Sequence, residues 1–184
     1  MQRLSSLMMS LAALALSATT AFPQPTWYLG GGLEFGSVTS DERTLADGTE
    51  GSGLVINGGL RFNRRLSMDC VFSGFVTSDL TYGILGLGPR LDFVDLKAKK
   101  LTPWASIYLS HHSLEWEGLD AGMEGLGFSA AGGFDLIVGP RGVIQWALRY
   151  HPFPGDLKID GTTLVLDLET ATTEVTVSYV YHFW

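Results

Sequence analysis

From residue 54 to residue 62 the chain alternates without a break. Leu54, Ile56, Gly58, Leu60 and Phe62 hold one parity, and Val55, Asn57, Gly59 and Arg61 the other. A period of two places each set on its own face of a β-strand. The same alternation returns along the chain, and no stretch approaches the roughly 20 consecutive apolar residues that a membrane-spanning helix requires. Any segment crossing a bilayer must therefore be a strand, and strands cross only in a closed barrel, where every backbone N–H and C=O finds a partner.

Eight segments carry the pattern: 26–37, 53–62, 66–77, 81–94, 102–113, 124–138, 143–152 and 172–183. Their even number, and lengths suited to tilted membrane strands, predict an all-β fold, an antiparallel up-and-down transmembrane β-barrel of eight strands. Short connections at 63–65, 96–101 and 139–142 alternate with longer polar ones at 38–52, 114–123 and 153–171, and the short connection at Ser78–Asp79 is the exception. Charge sorts in the same way. Arg64, Arg65, Lys97, Lys99, Lys100 and Arg141 sit in the short turns, whereas Asp41, Glu42, Asp47, Glu50, Glu115, Glu117, Asp120 and Glu124 gather at the other end, with Arg43 as a local cation. With the N-terminus in the periplasm, the short turns fall on the periplasmic side and the long loops outside.

The two parities differ in chemistry. One collects Leu33, Phe35, Phe72, Leu85, Leu109, Phe128, Leu148 and Val177 and carries few charges; the other carries Glu34, Arg61, Asp69, Arg90, Asp92, Asp135, Arg149 and Glu174. A soluble barrel reverses this, with apolar side chains inside and polar ones outside. In lipid the charged set must face inward, and we expect these eight residues to form an ion-pair network filling a narrow lumen. Aromatic residues near strand ends, Trp27, Tyr28, Trp104, Tyr150, Phe153, Tyr181, Phe183 and Trp184, read as interfacial girdles.

At the N-terminus, Arg3 precedes an apolar run from Leu7 to Ala18 and the small residues Thr19, Thr20 and Ala21. This pattern predicts a cleaved signal peptide over 1–21, leaving a barrel domain over 22–184. The only cysteine is Cys70, so neither an internal disulfide nor a lipid anchor at the cleavage site is expected. The net charge is −7, and loss of Arg3 makes the mature chain more negative still, the wrong sign for a nucleic-acid partner. Gly30–Gly32 and Gly86–Leu87–Gly88 lack the helix and the Lys-Ser/Thr pair of a phosphate loop, so no cofactor is expected. No metal is expected either, because the neighbours His111 and His112 point to opposite faces of a strand and cannot share an ion.

At the C-terminus, Val175, Val177, Tyr179, Tyr181 and Phe183 alternate outward and Trp184 follows. This end resembles the closing strand recognised when outer-membrane barrels are assembled, which marks Tyr179, Tyr181, Phe183 and Trp184 as the assembly signal. The segment GLGFSAAGGFDLIVGPRGVIQWALRY at 125–150 and LGLGPRLDF at 85–93 resemble the OmpA-like and OmpW-like small barrel families. The resemblance implies an eight-stranded barrel in the outer membrane of a Gram-negative bacterium, with outer-membrane lipid, lipopolysaccharide and the barrel-assembly machinery as partners. The function it implies is non-enzymatic, a structural or surface role with or without a narrow pore for small solutes. Two alternatives stand beside it. His111, Ser113 and Glu124 share the outward parity of adjacent strands, and a lipid-facing Ser, His and Glu make an acyl hydrolase. The trio resembles the His-x-Ser arrangement of lipid A 3-O-deacylase barrels, but that family carries its motif on the penultimate strand, where this chain reads Leu148-Arg149-Tyr150-His151-Pro152. The other alternative is an adhesion or receptor protein that binds through its acidic loops.

Overall fold

The structure, a computed structural model, describes residues 25–40, 49–95, 100–117, 121–159 and 162–183. The expected leader over 1–21, and Trp184, lie outside the described residues. Eight strands follow one another: β1 (Thr26–Ser40), β2 (Thr49–Arg61), β3 (Leu66–Val76), β4 (Leu80–Asp92), β5 (Leu101–Trp116), β6 (Ala121–Ile137), β7 (Gly142–Ile159) and β8 (Thr162–Phe183). Each pairs antiparallel with its sequence neighbours, and β8 pairs with β1 from Trp27↔Phe183 to Ser40↔Thr170, which closes the barrel. No helix among the described residues is long and apolar enough to cross a membrane.

Alternation becomes burial. Along β4 every second residue from Leu80 to Asp92 is buried, and those between are exposed or half-buried. The exposed set includes Leu33, Phe35, Phe72, Leu85, Leu109, Phe128, Leu148 and Val177, so the barrel turns its hydrophobic side chains outward. The buried set includes all eight charged residues of the inward parity. Glycine lets the strands approach: a Cβ on Gly32 would stand 2.0 Å from the Val177 carbonyl oxygen.

Turn chemistry fixes the short connections. The Asn63 side-chain oxygen accepts hydrogen bonds from the backbone N–H of Arg65 and Leu66, each at 2.8 Å. Thr77 does the same work between β3 and β4, its hydroxyl accepting from Asp79 at 3.1 Å and Leu80 at 3.0 Å. Polar side chains that mimic a backbone turn in this way are the usual means of closing so short a link.

Except for β3 and β4, the strands run longer than the alternation predicts. Residues expected to form a loop over 153–171 instead continue β7 to Ile159 and begin β8 at Thr162, and the 114–123 loop shrinks between Trp116 and Ala121. Pro152 and Pro154 lie within β7. Their effect is narrower than termination. Between Glu124↔Asp156 and Ala130↔Tyr150 the β6–β7 ladder is interrupted, because a proline has no N–H to donate. The Ser110 hydroxyl donates to the Gly127 carbonyl there at 3.1 Å. Beyond the gap the pairing resumes, so β5 to β8 form a tall wall and the β3–β4 turn a low one.

Candidate functional site

The lumen is built in three layers. At the end that carries the short turns, the inward side chains of β2, β3, β4 and β6 bring Arg61, Asp69, Arg90, Asp92 and Asp135 together. Arg90 is the hub. Its Nε donates to Asp92 Oδ1 at 2.9 Å, a terminal nitrogen donates to Asp135, and another lies 3.9 Å from Asp69 Oδ2. Arg61 donates to Asp92 Oδ2 at 2.5 Å. The Arg90 guanidinium also lies over the Trp104 ring, 4.3 Å from its centroid.

Carboxylates this deep require partners on their remaining lone pairs. Asp69 accepts from the Tyr28 hydroxyl and from Ser67 Oγ at 2.9 Å. Asp135 accepts from Gln145 Nε2 at 3.0 Å, and Gln145 Oε1 accepts from Asn57 Nδ2 at 2.6 Å. Tyr28 and Trp104 therefore point inward and are almost fully buried, which corrects their assignment to the interfacial girdles. Nearness to a strand end does not settle the face, and both residues stand on the charged parity.

The middle layer holds the other three charges. Arg149 and Glu174 are register partners on β7 and β8, yet Arg149 donates to Thr176 Oγ1 at 3.1 Å, and Glu174 lies 3.2 Å from His151 Nε2. Glu34 sits beside Glu174, Arg149 and Ser73. Around them runs a chain of hydroxyls and a ring: Tyr82 bonds His112 Nδ1 at 2.8 Å, Ser110 bonds His112 Nε2 at 2.7 Å, and Thr172 donates to Tyr82 at 3.0 Å. The eight expected residues thus divide into a group of five and a group of three, each with uncharged partners. Neither His151 nor Tyr82 is among the residues expected in the lumen, although His151 shares the parity of Arg149 and Tyr82 that of Arg90; their partners needed the register.

The third layer is apolar. Val38, Phe75, Leu80, Ile84, Leu114 and Met123 pack with Tyr82 across the lumen just inside the loop end, and Trp116 covers them. The Phe75 ring occupies space that glycine leaves free, since a Cβ would come within 2.4 Å of it from Gly36 and 2.6 Å from Gly51.

No protein-family model matches the chain, and no curated protein matches it significantly. Solved structures do. Neisserial surface protein A superposes with a TM-score of 0.65 at 17% identity, covering 88% of this chain and 100% of that one. The outer membrane protein OprG from Pseudomonas aeruginosa superposes at 0.64 with 10% identity, covering 88% and 97%. The attachment invasion locus protein Ail of Yersinia pestis superposes at 0.54 with 14% identity, covering 86% and 100%. The fold is that of a small eight-stranded outer-membrane β-barrel.

On the outer face of the barrel, Ser113 and Glu124 are register partners on β5 and β6, and His111 stands one outward position away from Ser113. A Ser–His relay needs contact at about 2.6–3.2 Å, and no hydrogen bond joins His111, Ser113 and Glu124. The Glu124 carboxylate lies instead 3.4 Å from the Lys158 ammonium. Among the described residues no group of His, Cys, Asp and Glu side chains is placed to hold a metal ion. Cys70 is a free thiol on the outer surface. On the closing strand Tyr179 and Phe183 are exposed, and the Tyr181 hydroxyl accepts from Arg141 at 3.1 Å. Trp27 and Tyr150 also point outward, and the side chain of Phe153 lies outside the described residues.

Proposed function

We propose that the protein is a non-enzymatic component of the bacterial outer membrane with a structural or surface role, its lumen closed at rest. The observation that carries this reading is the filling of the interior at both ends, by Arg90 with its three aspartates and by the Phe75 cluster. A pore would have to displace one or both. Planar-bilayer recording of the refolded protein tests it: the wild type should give no unitary current steps, and regular steps would overturn the closed lumen. The engagement of Glu124 by Lys158 supports a non-enzymatic role over the acyl-hydrolase alternative. Mass analysis of lipid A from cells with and without the protein separates the two, since a deacylase removes acyl chains and a surface protein leaves lipid A unchanged. Within this reading the ion-pair groups act as a lumenal plug, the outward aromatics of β8 as the signal read by the assembly machinery, and lipopolysaccharide as the neighbouring lipid.

The adhesion alternative draws support from the loop end, where Glu50, Glu115, Glu117 and Glu124 are all exposed. Ail was crystallised with sucrose octasulfate, a heparin analogue and a polyanion. An acidic rim repels polyanions, so the partner we propose for this chain is cationic. Retention of the refolded protein on a polylysine surface but not on heparin, reversed by salt, is the expected result; retention on heparin would sink it.

A further inference from the structure

At the middle of the lumen two carboxylates lack donors. Glu34 on β1 and Glu174 on β8 are fully buried and stand side by side. Ser73 Oγ donates to Glu174 Oε2 at 3.5 Å, and His151 Nε2 lies 3.2 Å from that same oxygen. Both oxygens of Glu34, and Oε1 of Glu174, have no hydrogen-bond partner among the described residues. Ionised carboxylates only accept hydrogen bonds, so two of them side by side cannot satisfy each other. A protonated carboxyl carries an O–H and can donate to its neighbour.

Charge leads to the same place. The charged and titratable groups around the pair are Arg149 and His151 from β7, His112 from β5 and Tyr82 from β4. Tyr82 and Ser110 hold the two ring nitrogens of His112, and a neutral imidazole satisfies both, donating at one nitrogen and accepting at the other. Arg149 brings one positive charge and donates to Thr176 Oγ1. Two ionised glutamates would outweigh it, and like charges side by side in a low dielectric oppose joint ionisation. With His151 neutral, one proton on the pair brings the sum to zero. We propose that Glu34 and Glu174 share a single proton, the O–H of one carboxyl donating to the carboxylate of the other. This goes beyond the structural reading of the barrel and stands whether or not the lumen conducts. It also gives the fold a pH dependence. Above the ordinary glutamate range, about 4.3, the folded barrel binds one proton more than the unfolded chain, so stability falls as pH rises until the pair gives that proton up.

Infrared spectroscopy of the full barrel refolded in an ester-free detergent tests the shared proton directly. At neutral pH the wild type should show the carbonyl stretch of a protonated carboxyl, shifted when glutamate alone is isotope-labelled. Glu34→Gln should lose that band and still fold, because its amide N–H takes the donor's place and Arg149 balances the one remaining carboxylate. Glu174→Gln should lose the band as well. Urea unfolding in lipid vesicles supplies a second readout: one extra proton lowers the wild-type folding constant by up to about tenfold per pH unit, and either glutamine variant should lack that contribution to the slope. Absence of the band from the wild type, its survival in both variants, or equal slopes in wild type and variants would each overturn the proposal. So would nitrogen NMR showing His151 protonated with both glutamates ionised. Should neither variant refold, the labelled wild-type band decides the matter by itself. Regular current steps from the wild type would count against the closed lumen and leave the shared proton standing.

Discussion

The two ends of the lumen are closed by opposite means. At the short-turn end Arg90 binds three aspartates, and every bond depends on a charge having a partner. At the loop end the seal is shape: Phe75 fits over Gly36 and Gly51, and Leu80, Leu114 and Met123 fill what remains. An apolar seal loses stability in proportion to the volume removed, whereas an ionic one fails abruptly when a single hub is lost. The barrel interior is therefore not one environment. Its polar end resembles a buried ion-pair network and its loop end the core of a soluble protein.

Arg90→Ala should break the comparison most severely, since it leaves Asp69, Asp92 and Asp135 with only Arg61 among the five. A loss of roughly 3–5 kcal/mol in a lipid-refolding titration is expected, together with current steps that favour cations. Unchanged stability and conductance would remove Arg90 from any plug. Leu114→Ala at the loop end should cost roughly 2–4 kcal/mol through the cavity it leaves, with no ion selectivity in any current it permits. Should selectivity appear there too, the apolar cluster would not be a separate seal. Tyr28→Phe removes one donor to Asp69 while keeping the ring, and about 1.5–3 kcal/mol should be lost. A negligible change would mean that Ser67 and Arg90 satisfy Asp69 alone. The smallest effect is the coupling between the ends. Arg90 and Leu114 share no partner, so the double variant Arg90→Ala/Leu114→Ala should be additive within about 0.5 kcal/mol. A larger coupling would show that the layers support one another through the middle group of Glu34, Arg149 and Glu174.

Much of this architecture is written in a period of two. Strand count, antiparallel order and the face taken by each charge follow from alternation and turn residues, because a strand side chain has only two directions and lipid tolerates only one kind of residue on its side. Inward placement of Glu34, Arg61, Asp69, Arg90, Asp92, Asp135, Arg149 and Glu174 was legible on that ground alone. Which acid meets which arginine was not. Arg149 faces Glu174 in the ladder and still bonds Thr176, and Arg90 reaches Asp135 on a strand it does not pair with, because strand stagger brings distant rows to one height across a narrow bore. Tyr28 and Trp104 turn inward because they stand on the charged parity; their strand-end positions suggested an interface, while a lone pair of Asp69 and the Arg90 guanidinium met them inside. The extent of β7 also belongs to the tertiary structure. Pro152 and Pro154 cancel backbone donors locally, but the pairing of Ala121–Glu124 with Asp156–Ile159 and the ladder to β8 carry the strand past them. Local sequence thus decided what each residue can face, and closure of the sheet decided what it meets there, since only closure sets the stagger that brings strands without a shared ladder into contact.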